Sequence, residues 1–278
     1  MNARERRRRR ATDELIDHVA LEDFRSHHGH EALNPVAIVI AAYKEADNIE
    51  RVVKSMPHEI EGEATSVVVV VDGEDDGTSA LTRVAGGVAV VAPVNRGQGA
   101  ALRLGYRVAR EHGARYVVTA DADGQTDPDD LGRALRPVMA GEKDFVNGSR
   151  RLGHTHGDDA VRNTGVVVFA TLVSLLMGTK VTDTANPVRA FTAELTASLS
   201  LEEPQYQASE LLISALAHGV RYGEVPVTML NRTSGASKKG GNLSYGYRYA
   251  KVLARTYWRE CVSRRARSLA ALRRTPAS

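Results

Sequence analysis

Four short runs of apolar, mostly β-branched residues, each followed by a stretch with helical spacing, constrain what this chain can fold into. They occupy residues 36–42 (VAIVIAA), 66–71 (SVVVVV), 88–91 (VAVV) and 116–120 (YVVTA). A strand that is apolar on both faces must be covered on both, as happens in a parallel sheet wrapped by crossover helices. Helical spacing follows at 45–55 through Ile49, Val52 and Val53, at 78–84, at 98–112 through Ala101, Leu102, Gly105, Val108 and Ala109, and at 129–140. The alternation predicts an α/β domain with a mostly parallel central sheet and right-handed crossovers. Ligands of such sheets bind beyond the carboxyl ends of the strands. Tyr43, Asp72 and Asp121 fall at those ends.

Charge divides the chain into three parts. Residues 1–10 hold six arginines and one glutamate, and residues 262–278 hold five arginines and no acid, so the net +3 conceals a negative middle. The expected organisation is a polar, basic N-terminal arm over 1–33, a catalytic domain over 34–244, and a basic amphipathic helix or tail over 245–278. The arm is expected to be flexible, with His27, His28 and His30 in a loop. No nucleic-acid-binding signature accompanies the arginines, so nucleic acid is not an expected partner. The single cysteine, Cys261, excludes an internal disulfide and fits a reducing, cytoplasmic setting. The apolar stretch 165–177 (GVVVFATLVSLLM) falls short of the roughly 20 residues of a membrane span and reads as a buried or interfacial helix. The C-terminal segment mixes Tyr249, Tyr257 and Trp258 with Arg and Lys. That composition suits a helix lying on a membrane surface and equally one packed on its own domain.

Three local signals carry chemistry. Asp121-Ala122-Asp123-Gly124-Gln125 follows a buried strand and offers two hard carboxylate ligands, suited to Mg²⁺ or Mn²⁺. Asp72, in VDGEDDGT, can accept hydrogen bonds from a nucleobase or cap the next helix. The glycines of Asn95-Arg96-Gly97-Gln98-Gly99 allow close backbone approach to a ligand or simply a tight turn.

Taken in order, these segments resemble family 2 glycosyltransferases, which have the Rossmann-like GT-A fold. The similarity runs through IAAYKE (40–45), VDGEDDGT, NRGQGAALRLGYRVA, VVTADADGQTDPDDL and DFVNGSR (144–150). Arg162, VTDTANPVRAF (181–191), YQASELLISALAHGVRYGEVPV (206–227) and NRTSGASK (231–238) look like the polyprenyl-phosphate branch, the dolichol-phosphate mannose synthases and relatives. Ala41, Lys44, Gly73, Val166 and Asn186-Pro187-Val188 depart from the usual pattern.

The resemblance implies an inverting, metal-dependent transfer of a hexose from a GDP- or UDP-sugar to a polyprenyl phosphate, at the cytoplasmic face of a membrane. Tyr43, Glu45, Asp72, Asn95, Gly97, Asp121, Ala122 and Ser237 would hold the nucleotide-sugar. Asp121, Asp123 and Gln125 would surround Mg²⁺ or Mn²⁺. Asp123, Asp183, Arg150, Arg162, Arg189, Arg232 and Lys238 would form the catalytic and acceptor set, with Asp183 and Arg189 lining the acceptor side or pairing with each other. For a hydroxyl acceptor, Asp123 or Asp183 would be the base. The departures motivate two alternatives: transfer to a glycan, small metabolite or other lipid, and a non-catalytic nucleotide-sugar-binding subunit.

Overall fold

A computed structural model describes residues 3–29, 31–155, 160–230 and 242–263. The elements, in chain order, are α1 (Ala3–His28), β1 (Val36–Ala42), α2 (Ala46–Ser55), β2 (Glu59–Ile60), β3 (Glu63–Asp72), α3 (Thr78–Val84), β4 (Val88–Ala92), α4 (Gln98–Glu111), β5 (Tyr116–Asp121), α5 (Pro128–Met139), β6 (Phe145–Thr155), α6 (Ala160–Met177), β7 (Arg189–Thr192), α7 (Leu195–Ser198), α8 (Gln207–Ala217), β8 (Tyr222–Met229) and α9 (Asn242–Tyr257), which continues as a π-helical turn over Trp258–Ser263.

One sheet runs β2-β3-β1-β5-β7-β6-β8, with β4 also paired to β3. β1 is parallel to both β3 and β5, in register Val36 to Thr65 and Val36 to Tyr116. β7 is antiparallel to β5 and β6, while β6 and β8 are parallel, so the sheet is mixed: a wholly parallel half, β4-β3-β1-β5, adjoins a half, β7-β6-β8, in which β7 runs the other way.

The continuous apolar strands bury alternate residues in two separate cores, as their period of two requires. Ala37, Val39, Val68, Val70 and Val90 face a core closed by α1, α4, α8 and α9. Val36, Ile38, Ile40, Val69 and Val71 face a second, closed by α2 and α5. Asp127 starts α5 as N-cap, accepting the Asp129 N–H at 3.1 Å, with Pro128 at the first helical position.

The N-terminal segment differs from the expected flexible arm. Residues 3–28 form a helix whose Ala20, Leu21 and Phe24 are fully buried in the first core, and His27 and His28 lie in its last turn rather than in a loop; His30 is outside the described residues. Burying an aromatic of this size stabilises the docked helix by roughly 1.5–3 kcal/mol. At the other end, α9 buries Tyr249 and Leu253 in the same core, and Tyr247 and Trp258 are left exposed. Among the described residues no helix is long and apolar enough to cross a membrane.

Candidate active site

The parallel half of the sheet delivers its chemistry at the carboxyl ends of β1, β3 and β5. β1 ends before Tyr43, which is 41% exposed. Lys44, in the left-handed region at φ 55°, pairs with Glu74 at 2.9 Å across the gap to the β3 loop. The Glu45 N–H donates to Thr78 Oγ1 at 3.2 Å and that of Ala46 to Asp76 Oδ2 at 3.3 Å. The loops after β1 and β3 are thus stitched together into one wall.

Asp72, at the end of β3, turns its carboxylate toward backbone amides. It accepts the Arg96 N–H at 3.1 Å and the Gly97 N–H at 2.7 Å. Burial pushes this carboxyl above its ordinary value, against the pull of the two amides and of Arg96 and Arg103. Asp72 therefore shapes the loop of Asn95, whose Oδ1 also accepts the Gly97 N–H at 3.1 Å. The glycines here meet another protein segment: a Cβ at Gly97, φ 96°, would lie 2.6 Å from the Pro204 carbonyl oxygen, and one at Gly99 closer still to that of Glu203. The Gly99 N–H donates to the Pro204 carbonyl at 2.8 Å. The close approach anticipated for a ligand is thus made by residues 203–204.

β5 ends in the acidic loop. Asp121 and Asp123 are part-exposed, with Ala122 buried between them. Gln98 Nε2 reaches Asp121 Oδ1 at 3.4 Å, and Asp123 Oδ1 accepts the Gln125 N–H at 3.1 Å. Gln125 donates its side-chain amide to the Leu230 carbonyl at 3.2 Å and receives the Leu230 N–H on its own carbonyl at 2.9 Å. The acidic loop is thereby tied to the residue that precedes segment 231–241. Arg232, Ser237 and Lys238 lie in that segment, outside the described residues. Among the described residues no three His, Cys, Asp or Glu side chains gather as a metal cluster. Two hard carboxylates on one loop nevertheless fit Mg²⁺ or Mn²⁺, which draws remaining ligands from water and substrate phosphates.

The β7-β6-β8 half is organised around Asp183, which is fully buried. Arg150 grips it with Nε at 2.6 Å and Nη2 at 2.9 Å, and the Ala185 and Asn186 N–H groups add bonds at 3.0 and 3.2 Å. Burial pushes the Asp183 carboxyl up, but the hydrogen bonds and charge of Arg150, with the amides, outweigh it and hold it below the ordinary carboxylate value. A carboxylate this fully engaged is a poor base, so Asp183 is better read as the residue that positions Arg150.

Arg189 does not pair with Asp183 through a hydrogen bond. It is buried and donates to the carbonyls of Asn186 at 3.2 Å and Thr184 at 3.0 Å, pinning the 183–188 loop from beneath. Arg162 sits on α6, and its side chain is outside the described residues.

Two contributors went unnoticed in the sequence. Glu224 on β8 accepts the Thr182 N–H at 2.9 Å, the Thr182 hydroxyl at 2.7 Å and the Tyr222 hydroxyl at 2.8 Å, fixing the approach to Asp183. Its place in GEVPV was the available signal. Arg51 of α2 lays its guanidinium over Gly124, where a Cβ would meet Nη1 at 3.1 Å. Nothing local distinguishes Arg51 from any surface arginine on a helix.

Comparison with known proteins agrees with this arrangement. The family model described as Glycosyl transferase family 2 matches residues 37–196. The chain is 30% identical over 197 residues to the dolichyl-phosphate hexose transferase of Haloferax volcanii, covering 71% of this chain and 83% of the relative. It is 28% identical over 235 residues to the UDP-N-acetylglucosamine–dolichyl-phosphate N-acetylglucosaminyltransferase of Methanococcus voltae, covering 77% and 92%. Glucosyl-3-phosphoglycerate synthase from Mycobacterium tuberculosis, crystallised with Mn²⁺, UDP and glucosyl-3-phosphoglycerate, superposes with a TM-score of 0.62 at 21% identity, over 87% of this chain and 82% of that one, and so shares the fold. With its GT-A-like sheet and its strand-end carboxylates, the chain belongs to glycosyl transferase family 2 and is a glycosyltransferase.

Proposed function

We propose that the protein transfers a hexose from a GDP- or UDP-sugar to a polyprenyl phosphate, with inversion, using Mg²⁺ or Mn²⁺. The observation that carries this reading is the pair Asp121 and Asp123 on the loop after β5, the strand next to β1, whose following loop is stitched to that after β3. The naming of the Haloferax and Methanococcus relatives supports the acceptor.

In this reading the wall after β1 and β3 takes the nucleoside, and Asp121 and Asp123 hold the ion with the diphosphate. The chemistry such an ion supplies is neutralisation of charge on the departing diphosphate. A phosphate monoester has its second pKa near 6, so the acceptor is ionised at neutral pH and needs no strong base. Its oxygen forms the new bond to the anomeric carbon as the bond to the diphosphate oxygen breaks, and attack opposite the leaving group inverts that carbon. Arg150, held by Asp183, is the described cation on the acceptor side, and Arg162, Arg232 and Lys238 complete the phosphate-binding set. The enzyme's contribution is positioning and electrostatic stabilisation.

Acceptor delivery would occur at a membrane surface on its cytoplasmic face. The outer face of α6 exposes Val168, Leu172, Leu175 and Leu176. α9 packs beside it through Phe169 and Tyr249, 4.6 Å apart between ring centroids, and exposes Tyr247, Trp258, Arg248 and Lys251. Apolar and aromatic groups flanked by cations suit an anionic bilayer surface.

The test incubates the full chain and Mn²⁺ with GDP- and UDP-sugars, with and without a polyprenyl phosphate, and looks for glycosyl-phosphoryl-lipid by mass spectrometry. A metal-requiring lipid product is expected. Turnover of donor with no lipid product under any donor would overturn the acceptor.

A further inference from the structure

The N-terminal helix lies outside the segment matched by the family model, yet it reaches the loop that Asp72 holds. Asp13 and Asp17 stand one turn apart on α1, on the face that continues through Leu21 and Phe24 into the core. The apolar end of this face anchors the helix; the acidic end grips Arg96. Arg96 Nη2 donates to Asp17 Oδ1 at 2.6 Å and Nη1 to the Asp13 carbonyl at 2.9 Å, with Asp13 Oδ1 3.7 Å away. Asp13 Oδ2 also lies 3.7 Å from Arg103. The Arg96 side chain is only 7% exposed, so its charge depends on these partners.

Three consecutive residues then link three features. Arg96 binds α1 through its side chain, Arg96 and Gly97 donate their amides to Asp72, and Gln98 reaches Asp121. We propose that α1 is a working part of the donor site, with Asp13, Asp17 and Arg96 as positioning residues that set the 95–98 loop against Asp72 and Asp121. Undocking α1 would strip Arg96 of its buried partners and turn its side chain to solvent, carrying with it the amide that Asp72 holds. The inference rests on the reading of this end of the sheet as the nucleotide-sugar site.

The test measures binding of GDP and of UDP, each with Mn²⁺, to the full chain by calorimetry, alongside thermal melting. Removing residues 1–31 would uncover the core face that Leu21 and Phe24 cover and unfold the domain, so point variants are used. Asp17→Asn should weaken binding of whichever nucleotide the unaltered chain takes, on the order of fivefold or more, at a temperature where melting shows the variant fully folded. Asp17→Glu should restore it. Arg25→Ala, which removes the pair with Glu111 at 3.4 Å at the other end of the same helix, should leave binding unchanged. Unchanged affinity in Asp17→Asn, or an equal loss in Arg25→Ala, would overturn the positioning role. If the unaltered chain bound neither nucleotide, the donor-site reading itself would fall, and this inference with it.

Discussion

At the end of the parallel half of the sheet, Asp121 and Asp123 stand part-exposed at a strand terminus. In the β7-β6-β8 half, by contrast, Asp183 and Arg189 are fully buried. The carboxyl of Asp72 is pushed above its ordinary value by burial, while that of Asp183 is held below it because Arg150 outweighs burial. Parallel strands end at one edge, so their terminal carboxylates gather where a ligand can reach them. The β7-β6-β8 half directs its charges at one another and at loop carbonyls, which fixes the orientation of Arg150. In the proposed function, one half presents carboxylates to the donor, and the other builds the scaffold for the acceptor.

The widest expected break in this comparison is Asp183→Asn. It leaves the Arg150 guanidinium buried without its counter-charge, and denaturant unfolding should show a loss of about 3–5 kcal/mol. A double variant that also replaces Arg150 by Met should recover part of that loss.

The same pair makes a pH prediction. Because the folded-state pKa of Asp183 is depressed, the unfolded chain takes up its proton more readily, and stability rises with pH through that interval. The stability difference between the unaltered chain and Asp183→Asn should stay constant above the ordinary carboxylate value, about 3.9. It should shrink as pH falls through the depressed value. Asp72 has the opposite sign: its raised pKa makes the charged form a cost that is relieved as pH falls.

A smaller effect is expected for Gly99→Ala. Its Cβ would press on the Glu203 carbonyl, and forcing that contact apart should cost about 1–3 kcal/mol in unfolding while displacing the Asn95–Gly97 loop. The smallest effect on stability is expected for Leu175→Glu, on the exposed face of α6, where melting should stay within about 0.5 kcal/mol. Co-sedimentation with anionic vesicles should nevertheless fall, and unchanged sedimentation would remove α6 from the membrane-facing surface.

The parallel half was legible in the sequence because each residue type answered to a local rule. Strands 36–42 and 116–120 were visible as β-branched runs buried on both faces, the helical spacing at 129–140 marked α5, and Asp121 fell at a strand end by position alone. What escaped was set by distant partners. The glycines of 97–99 answer to residues 203–204, about a hundred positions away. Arg189 was read as lining the acceptor side or pairing with Asp183, and its hydrogen bonds go to the carbonyls of Asn186 and Thr184. α1 was read as a loose arm because its arginine-rich start hides a short apolar face at Ala20, Leu21 and Phe24; with Ile16 partly buried one turn earlier, that spacing was the signal available.

The division of labour is tested most directly by comparing Asp123→Ala with Asp183→Asn for metal-dependent release of nucleoside diphosphate from the sugar donor, with melting recorded on the same samples. Asp123→Ala should melt like the unaltered chain and lose turnover by about 10²–10³-fold, the scale of removing one preorganised electrostatic group, whereas Asp183→Asn should lose melting temperature first. An Asp123→Ala variant that keeps its turnover with added Mn²⁺ would contradict the account.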